Sequence, residues 1–178
     1  TKPKTTTSST SSSSDEELIL NPIIDLSGWQ LPQDIDYDVL SNHISGAIVR
    51  VFGGSLISKD SNAASSNGVD KSFKTHIKEL KKRDVSVAVY SYAQGTSVKE
   101  MKEEARIFYK NASPYKPTYY WIDVEEETMS NMEQGVQAFL ADLKRLGAEN
   151  VGLYIGAYFM LEQEVSTKNF DAVWIPAY

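Results

Sequence analysis

The chain contains no cysteine, which excludes a disulfide framework and any thiolate-based zinc site. Histidine is nearly as scarce: His43 and His76 are its only copies and stand far apart, so a histidine-rich metal site is excluded too. No apolar run approaches the roughly 20 residues that a membrane-spanning helix needs. Neither G-x-G-x-x-G nor G-x-x-x-x-G-K-[ST] occurs, and the turn "DLSGWQLPQ" after the first apolar run fits neither pattern. The backbone cradles that hold dinucleotide or nucleotide phosphates are therefore missing. Positive charge is also in short supply, with 18 Lys and Arg against 24 Asp and Glu for a net charge of −6. The bases are scattered along helical stretches, which argues against nucleic acid as a partner. Nothing in these patterns calls for a metal or an organic cofactor.

What is present suits a soluble globular domain: 178 residues, 41% hydrophobic and 24% charged. Residues 1–14, "TKPKTTTSSTSSSS", hold eleven Ser or Thr and no large apolar side chain. Such a stretch cannot bury enough surface to offset the entropy of ordering it. The expected organisation is a disordered Ser/Thr-rich linker over 1–17 followed by one domain over 18–178. The linker reads either as a spacer toward a membrane anchor, a wall anchor or a second module, or as a terminus of no consequence.

From residue 21 onward, short runs rich in β-branched and aromatic residues recur: "PIID" (22–25), "GAIVRVF" (46–52), "VSVAVYSY" (85–92), "TYYWIDVE" (118–125), "NVGLYIG" (150–156) and "FDAVWIPAY" (170–178). Each reads as a buried strand. Helical patterns fill the gaps. Phe73, Ile77 and Leu80 share one face of a helix that ends in Lys81, Lys82 and Arg83, where cations favour the dipole. Ser97 with Glu100, and Ser130 with Glu133, read as capping boxes, and Gly147 is placed to end the second of those helices. The strand–helix alternation predicts an α/β fold with mainly parallel strands, either an open doubly wound sheet or a closed barrel.

The stretch "YYWIDVEEET" (119–128) ends a buried strand in four carboxylates. Residues two apart on a strand share a face, so Asp123 and Glu125 project together, their Cα atoms about 7 Å apart. Asp25 ends the first strand in the same way. In parallel barrels the carboxyl ends of strands form the open mouth where catalytic groups gather. Three converging carboxylates would raise the pKa of at least one and set a protonated acid beside an ionised partner, as glycoside hydrolysis requires. The bland alternative pairs Asp123 and Glu125 with Arg50, or makes them the start of a solvated acidic loop with Glu126 and Glu127. Trp29, Tyr90, Tyr92, Tyr120, Trp121, Trp174 and Tyr178 fall at or near strand ends, where flat rings could stack on sugars. Alternation sets Trp121 on the side of Asp123 and Glu125, and Tyr90 with Tyr92.

Taken in order, "IIDLSGWQ", "GAIVRVFGG", "VDKSFKTHIKELKKRDVSVAVYSYAQG", "YYWIDVEEET", "VGLYIGAYFM" and "AVWIPAY" resemble the glycoside hydrolase family 25 lysozymes, the Chalaropsis-type N-acetylmuramidases. The resemblance implies an irregular, flattened TIM-like β/α barrel with five helices, whose last strands would follow the "WIPAY" segment and are expected to be missing from this chain. It also implies cleavage of the β-1,4 bond between N-acetylmuramic acid and N-acetylglucosamine in peptidoglycan, with no cofactor and no metal. Glu125 would be the general acid. Asp123 would orient the acetamido group or stabilise the oxocarbenium-like transition state, and Asp25 and Tyr92 would line the same subsite. Tyr90, Trp121, Trp174, Tyr178 and Arg50 would contact substrate, while Ser27, Trp29 and Gln30 shape the first turn. Location would be extracellular or at the cell surface, against the bacterial wall. A catalytically impaired wall-glycan-binding module is the alternative reading, and a related hydrolase of chitin-like chains a third.

Overall fold

The computed structural model describes residues 21–53 and 63–177 of the chain; the linker expected over 1–17 and the candidate Tyr178 lie outside the described residues. Each predicted apolar run holds a strand: β1 (Ile23–Leu26), β2 (Gly46–Gly53), β3 (Ser86–Tyr92), β4 (Tyr120–Val124), β5 (Val151–Ile155) and β6 (Ala172–Trp174). Five α-helices lie between and around them: α1 (Tyr37–Ser41), α2 (Phe73–Lys81), α3 (Val98–Ala112), α4 (Met132–Leu146) and α5 (Ala157–Glu162).

All five strand pairings are parallel, and the sheet runs in chain order from β1 to β6. This order decides between the two architectures that the alternation allowed. A doubly wound sheet must reverse its strand order at a switch point. A monotonic order with right-handed crossovers puts every helix on one face and curls the sheet toward a barrel. The result is a curled half-barrel with β1 and β6 as its edges among the described residues.

Period-two alternation sorts the strand side chains. Val49 and Val51 of β2, Val87 and Val89 of β3, Tyr120, Ile122 and Val124 of β4, and Leu153 and Ile155 of β5 are buried on the helix side. They meet Phe73, Ile77 and Leu80 from α2, Met101, Ala105 and Phe108 from α3, and Val136, Phe139 and Leu143 from α4. Each fully buried large side chain contributes about 1.5–3 kcal/mol, so this layer fixes the sheet that carries the site. The intervening residues, among them Tyr90, Trp121 and Asp123, face the concave side.

The helix ends follow the predicted chemistry with local changes. Ser97 Oγ accepts from the Glu100 amide of α3, but the Glu100 carboxylate returns to the Thr96 amide and hydroxyl at 2.8 and 2.7 Å. For α4 the cap is Asn131, not Ser130: its side-chain oxygen accepts from the Gln134 amide at 2.9 Å. Gly147 ends α4 in the left-handed region, φ 109°. Helix α2 is capped from a distance, the Asp70 carboxylate accepting from the Ser72 and Phe73 amides at 2.8 and 3.1 Å.

Candidate active site

The parallel register brings the candidates together. Tyr92, Asp123, Tyr154 and Trp174 form one lateral row across β3 to β6, and Arg50, Tyr90, Trp121 and Gly152 form the row beneath it. Asp25, Ile48, Tyr90, Trp121, Asp123, Glu125, Tyr154 and Trp174 enclose a concave hollow of about 160 Å³ at the carboxyl ends of the strands.

The aromatics form a continuous wall. Trp174 meets Trp121 edge-on with centroids 6.1 Å apart, and meets Tyr154 edge-on at 5.3 Å. Tyr119 stacks on Trp121 from outside at 5.7 Å. Gly152 is what lets the Trp121 indole lie across the sheet, because a Cβ there would stand 2.4 Å from the ring. Tyr120, one step out of phase, faces the helices and stacks on Tyr109 instead.

Asp123 sits at the floor of the hollow, 8% exposed, and its Oδ1 has no hydrogen-bond donor among the described residues. Burial, then the charge and hydrogen bond of Glu125, then Asp25, push its pKa up to about 8 against a weaker opposing pull from Arg50. Of the Asp123–Glu125 pair, Asp123 therefore keeps its proton at neutral pH. Glu125, exposed to solvent, is the member that can reach a ligand, and Asp25, also exposed, lines the hollow across from the pair.

Arg50 lies beside the hollow with its Nε bonded to the buried Asp70 at 3.0 Å. The alternative in which Arg50 neutralises Asp123 and Glu125 is not what the fold adopts. Tyr92 stands at the rim and donates its hydroxyl to Glu126 Oε1 at 2.8 Å, while Gln94 Nε2 donates to Glu126 Oε2 at 3.2 Å. Burial and Glu126 together hold the Tyr92 phenol above its ordinary pKa, so it meets any ligand as a neutral phenol with an oxygen lone pair still open.

Several contributors went unrecognised in the sequence. Tyr154 and Ile48 were read only as strand residues, although their odd or even places in β5 and β2 put them on the concave side. Glu126 looked like one more solvated charge. Glu104 of α3 is fully buried behind the loop after β3, accepting from the Gln94 amide at 3.1 Å through Oε2 while Oε1 finds no partner among the described residues. Burial pushes its pKa up to about 8. Among the described residues no group of three or more His, Cys, Asp or Glu is arranged to hold a metal ion.

Comparisons with known proteins bear on the family and the fold. The pattern that defines Glycosyl hydrolases family 25 matches residues 24–178. Among solved structures, the virulence factor GHIP, a glycosyl hydrolase 25 of Streptococcus pneumoniae participating in host cell invasion, is 56% identical with a TM-score of 0.87. That alignment covers 90% of this chain and 70% of GHIP. The catalytic domain of endolysin Ply40 from bacteriophage P40 of Listeria monocytogenes is 23% identical with a TM-score of 0.68, over 81% of this chain and 68% of that one. The modular autolysin LytC of Streptococcus pneumoniae is 21% identical with a TM-score of 0.62, over 83% of this chain and 34% of that one. At such identities the last two likenesses speak to fold alone. No curated protein matches.

Proposed function

The chain belongs to family 25 of the glycosyl hydrolases, and from that premise we propose that it is a muramidase. It would hydrolyse the β-1,4 bond between N-acetylmuramic acid and N-acetylglucosamine in peptidoglycan. The observation that carries this reading is a buried carboxyl, Asp123, held protonated beside an exposed one, Glu125, on the floor of an aromatic-walled hollow. Membership of family 25, with the lysozyme-like motifs read in the sequence, supports a wall polymer as substrate.

In this mechanism the glycan lies across the concave face with one ring against Trp121, Tyr154 and Trp174. Glu125 delivers the pair's proton to the glycosidic oxygen as the bond to the anomeric carbon breaks. With the proton gone, the pair gains negative charge next to the developing oxocarbenium-like cation, and Asp123 stabilises it from below. In a dry, low-dielectric floor that charge counts for more than it would in water. An inverting enzyme needs about 6.5–9.5 Å between its carboxyl groups to seat a water. The charge of Glu125 acts on Asp123 at close range, which argues against such a gap, so the reading favours retention, with the acetamido oxygen of the muramic acid as internal nucleophile. Water then opens the cyclic intermediate, and Glu125 takes back a proton. Asp25 and Tyr92 fix the acetamido end of the sugar, and Arg50 contributes charge rather than direct contact.

Residues 18–178 would form the catalytic unit, working outside the cell at the wall. Its net charge of −6 gives no long-range attraction to a polyanionic wall, which fits a Ser/Thr spacer leading to an anchor or second module. Incubation with purified peptidoglycan, wild type beside Glu125→Gln, tests the reading. New reducing ends that vanish in the variant support it. Glycan binding without release of ends by the folded wild type would replace it with the wall-binding module.

A further inference from the structure

The turn after β1, Ser27–Gln30, is fixed by more buried polar groups than its length would require. Gln30 Oε1 accepts from both the amide and the hydroxyl of Ser27, at 2.9 and 3.1 Å. The Gly28 amide donates to Asp70 Oδ2 at 2.6 Å. His76, wholly buried, reaches the Ser27 carbonyl with Nε2 at 3.1 Å. A carbonyl only accepts, so Nε2 carries the hydrogen, and Nδ1, 2.6 Å from the Tyr37 hydroxyl, accepts from it. Gly28 is pressed so closely on the returning segment that a Cβ would come within 2.2 Å of the Ala63 carbonyl oxygen. Trp29 is the exception: its amide donates to Ser27 Oγ at 3.3 Å, but the residue is 61% exposed.

A turn pinned at Ser27 and Gly28 by buried partners, with its tryptophan turned outward, resembles a preformed contact surface. Ordering cost at such a surface is already met before any ligand arrives. Trp29 lies four residues beyond Asp25, on the same end of the barrel, and four residues reach at most about 14 Å. It therefore stands on the mouth side of the sheet, within about 14 Å of Asp25. We propose that Trp29 is a stacking platform for a pyranose ring of the same glycan strand, one or more units away from the ring held over Asp123 and Glu125. The proposal rests on the glycan-cleaving reading and adds a distal subsite to it. Its physical basis is the flat apolar face that a Trp offers to the C–H face of a sugar, with no charge involved.

The test compares wild type, Trp29→Ala and Trp29→Phe on peptidoglycan glycan fragments of defined length. Equilibrium unfolding in urea alongside would confirm that each variant is folded. A distal platform makes the loss grow with chain length: about tenfold in kcat/KM on long strands for Trp29→Ala, carried by KM, against no more than about twofold on the shortest fragment cleaved. Trp29→Phe should recover most of the loss. Equal values for Trp29→Ala and wild type at every length would overturn the proposal. So would an equal loss at every length carried by kcat, since that would make Trp29 a prop for the Asp25 turn. Should the wild type cleave none of the fragments, the muramidase reading fails separately, and binding of the long fragments followed by calorimetry decides Trp29 alone. Weakened binding in Trp29→Ala then supports the platform, and unchanged binding rejects it.

Discussion

Replacing Asp123 by Asn should make the protein more stable and nearly inactive, and the size of the stability gain should depend on pH. The Asp123 carboxyl moves from an ordinary value of 3.8 to about 8 on folding, and each tenfold change in proton affinity corresponds to about 1.4 kcal/mol. Below about pH 4 both folded and unfolded chains hold the proton, and Asn, which mimics the protonated group, changes little. Between pH 4 and 8 the unfolded chain releases its proton while the folded chain keeps it, so the wild type loses stability as pH rises. The variant has nothing to ionise there and escapes that loss. The expected advantage of Asp123→Asn is on the order of 1–2 kcal/mol at pH 5 and 3–5 kcal/mol at pH 8. Urea unfolding at the two pH values reads it directly, provided the m-values agree. Turnover should fall by about 100-fold or more, because an amide cannot supply charge to the transition state. A variant that is less stable at pH 8, or whose advantage is the same at both pH values, would refute the buried-proton argument.

Glu125→Gln should lower kcat by about 100-fold or more while leaving glycan affinity near wild type, since general-acid catalysis is worth about 10²–10⁴; steady-state kinetics beside direct binding separates the two. In the wild type, kcat/KM should fall on the alkaline side with a midpoint near pH 8, where Asp123 loses its proton; a pH–rate profile flat to pH 9 would contradict this. Glu104→Gln, which keeps an acceptor for the Gln94 amide, should show an advantage over the wild type that grows as pH rises from 4.5 toward 8, because the wild type loses stability while its folded Glu104 stays protonated over that window; thermal unfolding of both proteins at both ends of the range checks it. Asp70→Ala removes the partner of Arg50, the support of Gly28 and the cap of α2 at once, and should cost about 3–5 kcal/mol by urea unfolding.

The parts legible in the sequence were those written in local periodicity. β2 and β3 show as β-branched runs, α3 as an apolar stripe behind Ser97, and Asp123 with Glu125 as a period-two pair at a strand end. The cap of α4 slipped by one residue because Ser130 and Asn131 are both good caps and only the tertiary position of the first turn chooses between them. Tyr154 was hidden inside "VGLYIG" because a strand buried on the helix side reads the same whether its other face is core or cleft. Contacts that span the chain left no local trace. The Gly28–Asp70 bond, the His76–Ser27 bond and the Tyr92–Glu126 bond each join residues more than thirty positions apart. They decide that Arg50 is spoken for by Asp70 and that Tyr92 meets the ligand as an acceptor. Alternation alone leaves barrel and open sheet both possible; the family resemblance points to the barrel, and the strand order bears it out.

The central claim, that the Asp123–Glu125 pair cleaves on the reducing side of muramic acid, is tested most directly by digesting purified peptidoglycan and reducing the new ends with borohydride. The account predicts reduced N-acetylmuramic acid from the wild type and none from Glu125→Gln. Reduced N-acetylglucosamine as the new end, or muramic ends undiminished in the variant, would contradict it.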